Sequence, residues 1–392
     1  MASSFPIVLA NGPPPAGLQE VAESGVTMLR TGIADWNAPH LDAQIAAERL
    51  NLELAAQHGL ACWVWLGTLT NLTPGSPPAA EPLLTRVVDA LKGHPALGAW
   101  KGHDEPRNPF NAARSIPPAN LVRGHDRVQA LDPNHSLVIV QAPRGAVEGL
   151  IPYRPALDIA GVDIYPVAYP PGRHSDLPNN DISVVGDITR WIRKAAGTKP
   201  VWVTLQIAWS GVAPTKTNPG IVPRFPSKDE LRFMAYQAIV NGASGLVFFG
   251  GHLTQIVSPA DAAAGWNWTF WREALQPLVR QLSSASLAPA LLAPASRSKV
   301  AASTKDVELA TRQTAEFLYV IAVRRAGATS QVRFTGLPKS LHGGQVLFEY
   351  VQDPLPPPIG AGAQIFRSVA VTAGAFRDWL APHDTRVYRF AL

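Results

Sequence analysis

A single cysteine, Cys62, in 392 residues leaves this chain with no internal disulfide, so its fold must rest on a packed core. Charge is also scarce. Asp, Glu, Lys and Arg together make 16% of the chain, below the roughly 25% of an ordinary soluble protein. The net charge of +5 is spread without a block of Lys or Arg, which gives no clustered patch for nucleic acid. No apolar run reaches the roughly 18 residues that a spanning helix needs, so no membrane partner is expected. No Gly-x-Gly-x-x-Gly follows the first β-like run, which argues against an open dinucleotide-binding sheet. His-x-His after that run and His-x-x-x-His on a helix are both missing, so neither a metal nor an organic cofactor is expected. The opening Met1-Ala2-Ser3-Ser4-Phe5-Pro6 lacks the basic and apolar regions of a signal peptide. The expectation is a secreted or periplasmic protein whose leader is not in this sequence, with a cytoplasmic one as the alternative.

What is plentiful is apolar material. Hydrophobic residues make 46%, with 37 prolines and 11 tryptophans. A disordered chain lacks such material. Up to about residue 285, short β-like runs alternate with helical stretches. The β-like runs are Phe5–Ala10, Val26–Arg30, Leu60–Leu66, Leu97–His103, Leu137–Gln141, Leu157–Tyr165, Val201–Ile207 and Gly245–Phe249. Between them, Leu41–His58, Glu81–Leu91, Asn120–Leu131 and Val184–Ala196 have helical spacing, and Trp268–Leu282 closes the series. Ser227-Lys-Asp-Glu230 has capping-box spacing ahead of another helix. The stretch after the fifth strand is poorly helical. Eight strand-then-helix units imply parallel pairing and a closed (β/α)₈ barrel.

The pattern changes afterwards. A stretch rich in Ala, Pro and Ser, residues 286–298, reads as a linker. From residue 299 to 392 the helical period vanishes, and Glu316–Val323, Gln331–Phe334, Gln345–Val351, Gln364–Val371 and Arg386–Phe390 are β-like with turn residues between. The expected architecture is therefore a TIM barrel over 1–285 and a small antiparallel β-sandwich over 299–392.

Active sites of such barrels lie at the C-terminal ends of the strands. Strand two delivers Arg30, with Asp35 and Trp36 after it, and strand three delivers Trp63 and Trp65. Strand four ends Trp100-Lys-Gly-His103-Asp104-Glu105-Pro106, and strand five ends in Gln141. Strand six gives Asp163 and Tyr165, and strand seven gives Thr204 and Gln206, followed by Trp209. Strand eight leads to His252, Asp261, Trp266 and Trp268. Side chains alternate along a strand. Val203, Leu205 and Ile207 suit the helix layer, which turns Thr204 and Gln206 inward. Carboxylates, amides, an arginine and indole rings at one mouth suit a sugar, since indole faces stack on pyranose rings and polar groups hold hydroxyls. Arg30, Trp36, Trp65, His103, Gln141, Tyr165, Gln206, Trp209, His252 and Trp268 are the candidate binding residues. Trp100, Trp191 and Trp202 read as packing. The expected partner is a carbohydrate.

In these features the chain resembles the large clan of (β/α)₈ retaining glycoside hydrolases. Asp104-Glu105-Pro106 is similar to the Asn-Glu-Pro signature ending strand four, whose Glu is the acid/base. Arg30 matches an arginine position of the clan, and Lys199-Pro-Val-Trp-Val-Thr204 resembles the lead-in to its seventh strand. The resemblance covers about 285 residues and implies a glycosidase with Glu105 as general acid. It departs at strand seven, where the clan carries a nucleophilic Glu and this chain has Leu205 and Gln206. Three arrangements follow. Asp163 activates water across from Glu105 and the configuration inverts. Alternatively, Asp104 orients a 2-acetamido group in a substrate-assisted reaction, with Tyr165 holding the amide. In the third, the barrel binds glycans without cleaving them.

Overall fold

The computed structural model describes residues 4–73, 80–109, 115–169, 174–207, 220, 222–250, 258–350 and 366–392. Trp209 and His252 lie outside them. Eight parallel strands close into a barrel: β1 (Ile7–Leu9), β2 (Met28–Gly32), β3 (Ala61–Trp65), β4 (Leu97–Asp104), β5 (Leu137–Gln141), β6 (Ile159–Ile164), β8 (Val201–Gln206) and β10 (Gly245–Phe249). β7 (Ala168–Tyr169) and β9 (Val222–Pro223) form a short antiparallel pair outside it. The helices are α1 (Leu18–Glu23), α2 (Leu41–Gln57), α3 (Ala80–Leu91), α4 (Pro118–Leu131), α5 (Val184–Ala196) and α6 (Lys228–Val240). They continue as α7 (Pro259–Ala263), α8 (Trp268–Phe270), α9 (Gln276–Ser283) and α10 (Ala288–Leu292). The expected barrel is present. After β5 the crossover is a 3₁₀ run, Val147–Ala156, interrupted by Pro152 and Pro155. Proline removes a donor from the helical ladder, which is why this stretch lacks a helical pattern. The expected capping box forms, with Ser227 and Glu230 satisfying each other's backbone.

Strand alternation sorts the barrel into two cores. Leu9, Leu29, Cys62, Trp100, Ile139, Val203 and Leu205 pack against the helices. Val8, Met28, Ala99, Val138, Trp63 and Trp202 fill the lumen, with the two indoles edge to face at 5.8 Å. The lumen is thus plugged by rings below its C-terminal mouth.

Beyond the barrel, β11 (Ala301–Ala302), β14 (Ser330–Thr335) and β17 (Ala375–Leu380) form one sheet. β12 (Val307–Gln313), β13 (Phe317–Arg324), β18 (Thr385–Ala391), β15 (Gly343–Tyr350) and β16 (Phe366–Ala370) form the other. This is the expected antiparallel sandwich. β12 and β17 escape a search for apolar runs, because β12 is mostly polar and β17 buries Asp378 at an inward position. The stretch read as a linker contains α10, whose Ala290 and Leu291 are buried. The five-stranded sheet is covered on both faces. Leu318, Val320 and Ala322 meet the smaller sheet, while Tyr319, Ile321 and Val323 join the core of the barrel's helix layer. Glu308 ties the joint, accepting from Arg190 at 2.6 Å, Gln237 at 2.9 Å and Asn241 at 3.0 Å.

Candidate active site

The mouth holds a cavity of about 300 Å³, floored by Trp63 and Val247. β2 brings Arg30 to it, β4 brings Lys101, Asp104 and Glu105, β6 brings Asp163, and β8 brings Thr204. Tyr165 and His174, from the segment after β6, complete the wall with Phe249.

A bulge in β4 decides which side chains arrive. Lys101 pairs with Val138 and Asp104 with Val140, so three steps on β4 match two on β5. The extra residue reverses the inward face after Lys101. Asp104 therefore turns to the cavity. His103 is displaced from it and binds the Asp104 carbonyl through Nδ1 at 2.8 Å. Glu105 follows with φ of 42°, its N–H on the Val140 carbonyl at 2.9 Å. A left-handed backbone is costly for a residue with a Cβ. Proline at the next position leads to the expectation of an extended exit; the structure instead has a bend with left-handed backbone at Glu105.

The carboxyls of Glu105 and Asp163 are in hydrogen-bonding contact. Asp163 is fully buried, and no donor among the described residues reaches its Oδ1. Burial pushes this carboxyl well above the usual range, and the adjacent charges of Glu105 and Asp104 push it further. Asp163 therefore keeps its proton beside Glu105. The Tyr165 phenol is raised by burial and then by Asp163, Asp104 and Glu105, so it remains a donor. His174 accepts the Tyr165 N–H at Nδ1, 3.1 Å away, and burial with nearby Arg144 lowers it to about 3. Its ring is neutral wherever the protein is folded at ordinary pH.

Lys101 was not among the expected site residues. It is buried, with Nζ 2.5 Å from Asp104 Oδ1 and 4.1 Å from the centre of the Trp65 ring. Burial draws its pKa down, and Asp104 opposes that. The signal for it was a lysine at the lumen parity of Ala99. His174 had no signal, lying in a segment without periodicity.

Other expected residues are elsewhere. Gln141 shares the parity of Leu137 and Ile139, so it faces the helix layer beside Tyr153 and Ile192 rather than the mouth. Gln206 has the inward parity but is wholly buried. It accepts the Val167 N–H at 2.7 Å and donates to the Val167 carbonyl at 2.8 Å, and its burial keeps it from the cavity. Trp36 is buried, with Nε1 on the Trp65 carbonyl at 2.9 Å. Trp65 does not line the cavity; it donates to the Gly102 carbonyl at 3.0 Å and lies under the Lys101 and Arg30 cations. Trp268 packs edge to face on Trp266 at 4.9 Å, away from the cavity. Asp261, inside α7, accepts the Thr269 N–H at 3.1 Å. Among the described residues, no three His, Cys, Asp or Glu side chains converge as a metal site would require, and no helix is long and apolar enough to cross a membrane.

No family model matches this sequence, and neither does any curated protein. Solved structures do. A family 5 glycoside hydrolase from Bacteroides vulgatus superposes with a TM-score of 0.63 at 12% identity, over 99% of this chain and 88% of that one. An α-amylase from Geobacillus thermoleovorans gives 0.58 at 10% identity, over 99% of each chain. A family 30 endoxylanase from Clostridium papyrosolvens gives 0.54 at 11% identity, over 100% of this chain and 98% of that one. At such identities the likeness is one of fold: a barrel followed by β-sheets.

Proposed function

We propose that the protein is a glycoside hydrolase that cleaves O-glycosidic bonds of an oligo- or polysaccharide, with Glu105 as the general acid. The observation that carries this is the carboxyl pair. Glu105 is exposed at the mouth and touches Asp163, whose proton is retained by burial. A departing sugar oxygen needs a proton as the bond breaks. Glu105 is the member of the pair that a substrate can touch, and Asp163 is its buried proton partner. The cavity of about 300 Å³ has room for a sugar ring against Trp63 and Phe249.

The contact bears on the second group. A water-activating carboxylate sits roughly 6.5–9.5 Å from the acid. Asp163 touches Glu105, so it does not fit that role. Asp104, half-exposed at the cavity and held by Lys101, is the carboxylate left to orient the attacking group. The fold neighbours add support, since those above are described as a glycoside hydrolase, an α-amylase and an endoxylanase. The competing reading, a barrel that binds glycans without cleaving them, draws on Gln206. Its amide stands where the resemblance places the nucleophile and is spent on Val167.

Incubating the protein with neutral and acidic oligosaccharides and following new reducing ends tests the proposal. Release of shorter products, lost in Glu105→Gln, is expected. Tight binding with no product would favour the non-cleaving barrel.

A further inference from the structure

Arg30 ends β2 inside the mouth, and two contacts fix its guanidinium. Nε donates to the Ala10 carbonyl at 2.9 Å, and Cζ lies 5.1 Å from the centre of the Trp65 ring. Arg30 lines the cavity. Among the described residues, none accepts from Nη1 or Nη2, and no carboxylate comes within ion-pair distance. Asp104 attracts Arg30 from farther off, but its Oδ1 is taken by Lys101 at 2.5 Å. At the end of β8, where the resemblance would place a carboxylate, Gln206 is turned to Val167. The result is a partly buried cation that, among the described residues, has no ion-pair partner in contact. Guanidinium stays charged even where burial disfavours it, and its fork matches carboxylate and sulfate oxygens in pairs.

We propose that the Arg30 fork binds an anionic group, carboxylate or sulfate, on the sugar unit seated in the mouth, so that the substrate is an acidic glycan. This rests on the glycosidase reading above. Three carboxyls share the mouth, yet they do not forbid an anion. Lys101 pairs with Asp104, and Asp163 keeps its proton. Of the two cations at the mouth, Lys101 has its carboxylate partner and Arg30 has none within ion-pair distance. An anionic group on the substrate gives the Arg30 fork the partner it lacks. Arg30 also borders a second cavity of about 320 Å³, between Pro13, Pro15, Asn51 and Leu54. The net charge of +5 favours the approach of an acidic polymer.

Calorimetric titration of the intact protein tests this without relying on turnover. The probes are oligogalacturonates and glucuronic-acid-bearing xylo-oligosaccharides, sulfated galactan oligosaccharides, and neutral xylo- and cello-oligosaccharides of matched length. We expect at least one acidic set to bind about tenfold or more tightly than its neutral counterpart, a difference of about 1.4 kcal/mol, with the preference shrinking as salt is added. Which acidic set leads tells carboxylate from sulfate. Arg30→Gln should bring acidic and neutral affinities together, and Arg30→Lys should restore part of the gap as a charge without a fork. Circular dichroism confirms that each variant is folded, and the preference of the parent stands as a test without either variant. Neutral probes binding as well as every acidic one, or a preference that survives Arg30→Gln, would overturn the inference while leaving the glycosidase reading intact. No binding by any probe would overturn both.

Discussion

Gln206 clasps the backbone of Val167 from both ends of its amide, accepting at 2.7 Å and donating at 2.8 Å. Gln206 is thereby a clamp on the segment after β6. That segment carries Tyr165 and His174 into the mouth. Gln206→Ala should therefore act on stability. It leaves the N–H and carbonyl of Val167 without partners in a buried place, at a cost of about 1–3 kcal/mol. Chemical denaturation checks this; an unchanged midpoint with weaker glycan binding would return Gln206 to the substrate.

Lys101 governs the charge of the mouth. A cation beside carboxyls favours their ionised forms. Lys101→Met removes that cation from Asp104 and, at longer range, from Asp163. Protons should then be held to higher pH, and the basic limb of the pH–rate profile should move up. A limb that stays in place or moves down contradicts the assignment.

Asp163 predicts a pH dependence of stability. Its folded pKa is raised, so the stability it lends is full below the unfolded aspartate value of about 3.9. That contribution is lost as pH rises through the raised folded value. Asp163→Asn carries no proton to lose. The variant should gain on the parent as pH is raised from about 4, read from urea midpoints at several pH values. Parallel curves would mean that Asp163 is not strained by burial.

The joint between barrel and sandwich turns on Glu308. Its carboxylate is mostly buried and collects Arg190, Arg325, Gln237 and Asn241. Glu308→Ala strands these partners and should cost about 3 kcal/mol. Thermal unfolding measures it; a loss below about 0.5 kcal/mol, the size of an ordinary surface change, would show that the joint is held by packing alone.

The sequence shows the barrel clearly because each strand is an apolar run and each crossover but one has helical spacing. The Pro152–Pro155 crossover breaks the pattern for a local reason, proline in a 3₁₀ run. The site is less legible. Arg30, Asp104, Glu105, Asp163 and Tyr165 reach the cavity as strand-end reasoning expects. Gln141 fails because its parity faces the helices, a fact available from Leu137 and Ile139 beside it. His103 fails because a bulge in β4 reverses the inward face, and nothing in Lys101-Gly-His103 announces a bulge. Gln206 fails for another reason: its direction is right, but its partner, Val167, lies 39 positions away. In the sandwich, β17 hides behind Asp378, whose carboxylate is held by Arg367 at 2.7 Å and Tyr388 at 2.9 Å.

The turnover of Glu105→Gln on a cleaved glycan tests the central claim most directly. The amide keeps the shape and cannot give up a proton to a leaving oxygen. Turnover on the natural glycan should fall by about a hundredfold or more, the size of general acid catalysis. The fall should be smaller on the nitrophenyl glycoside of the same sugar, whose leaving group needs little protonation. A variant that cleaves the natural glycan at the rate of the parent would show that Glu105 is not the acid, and the carboxyl pair with Asp163 would need another explanation.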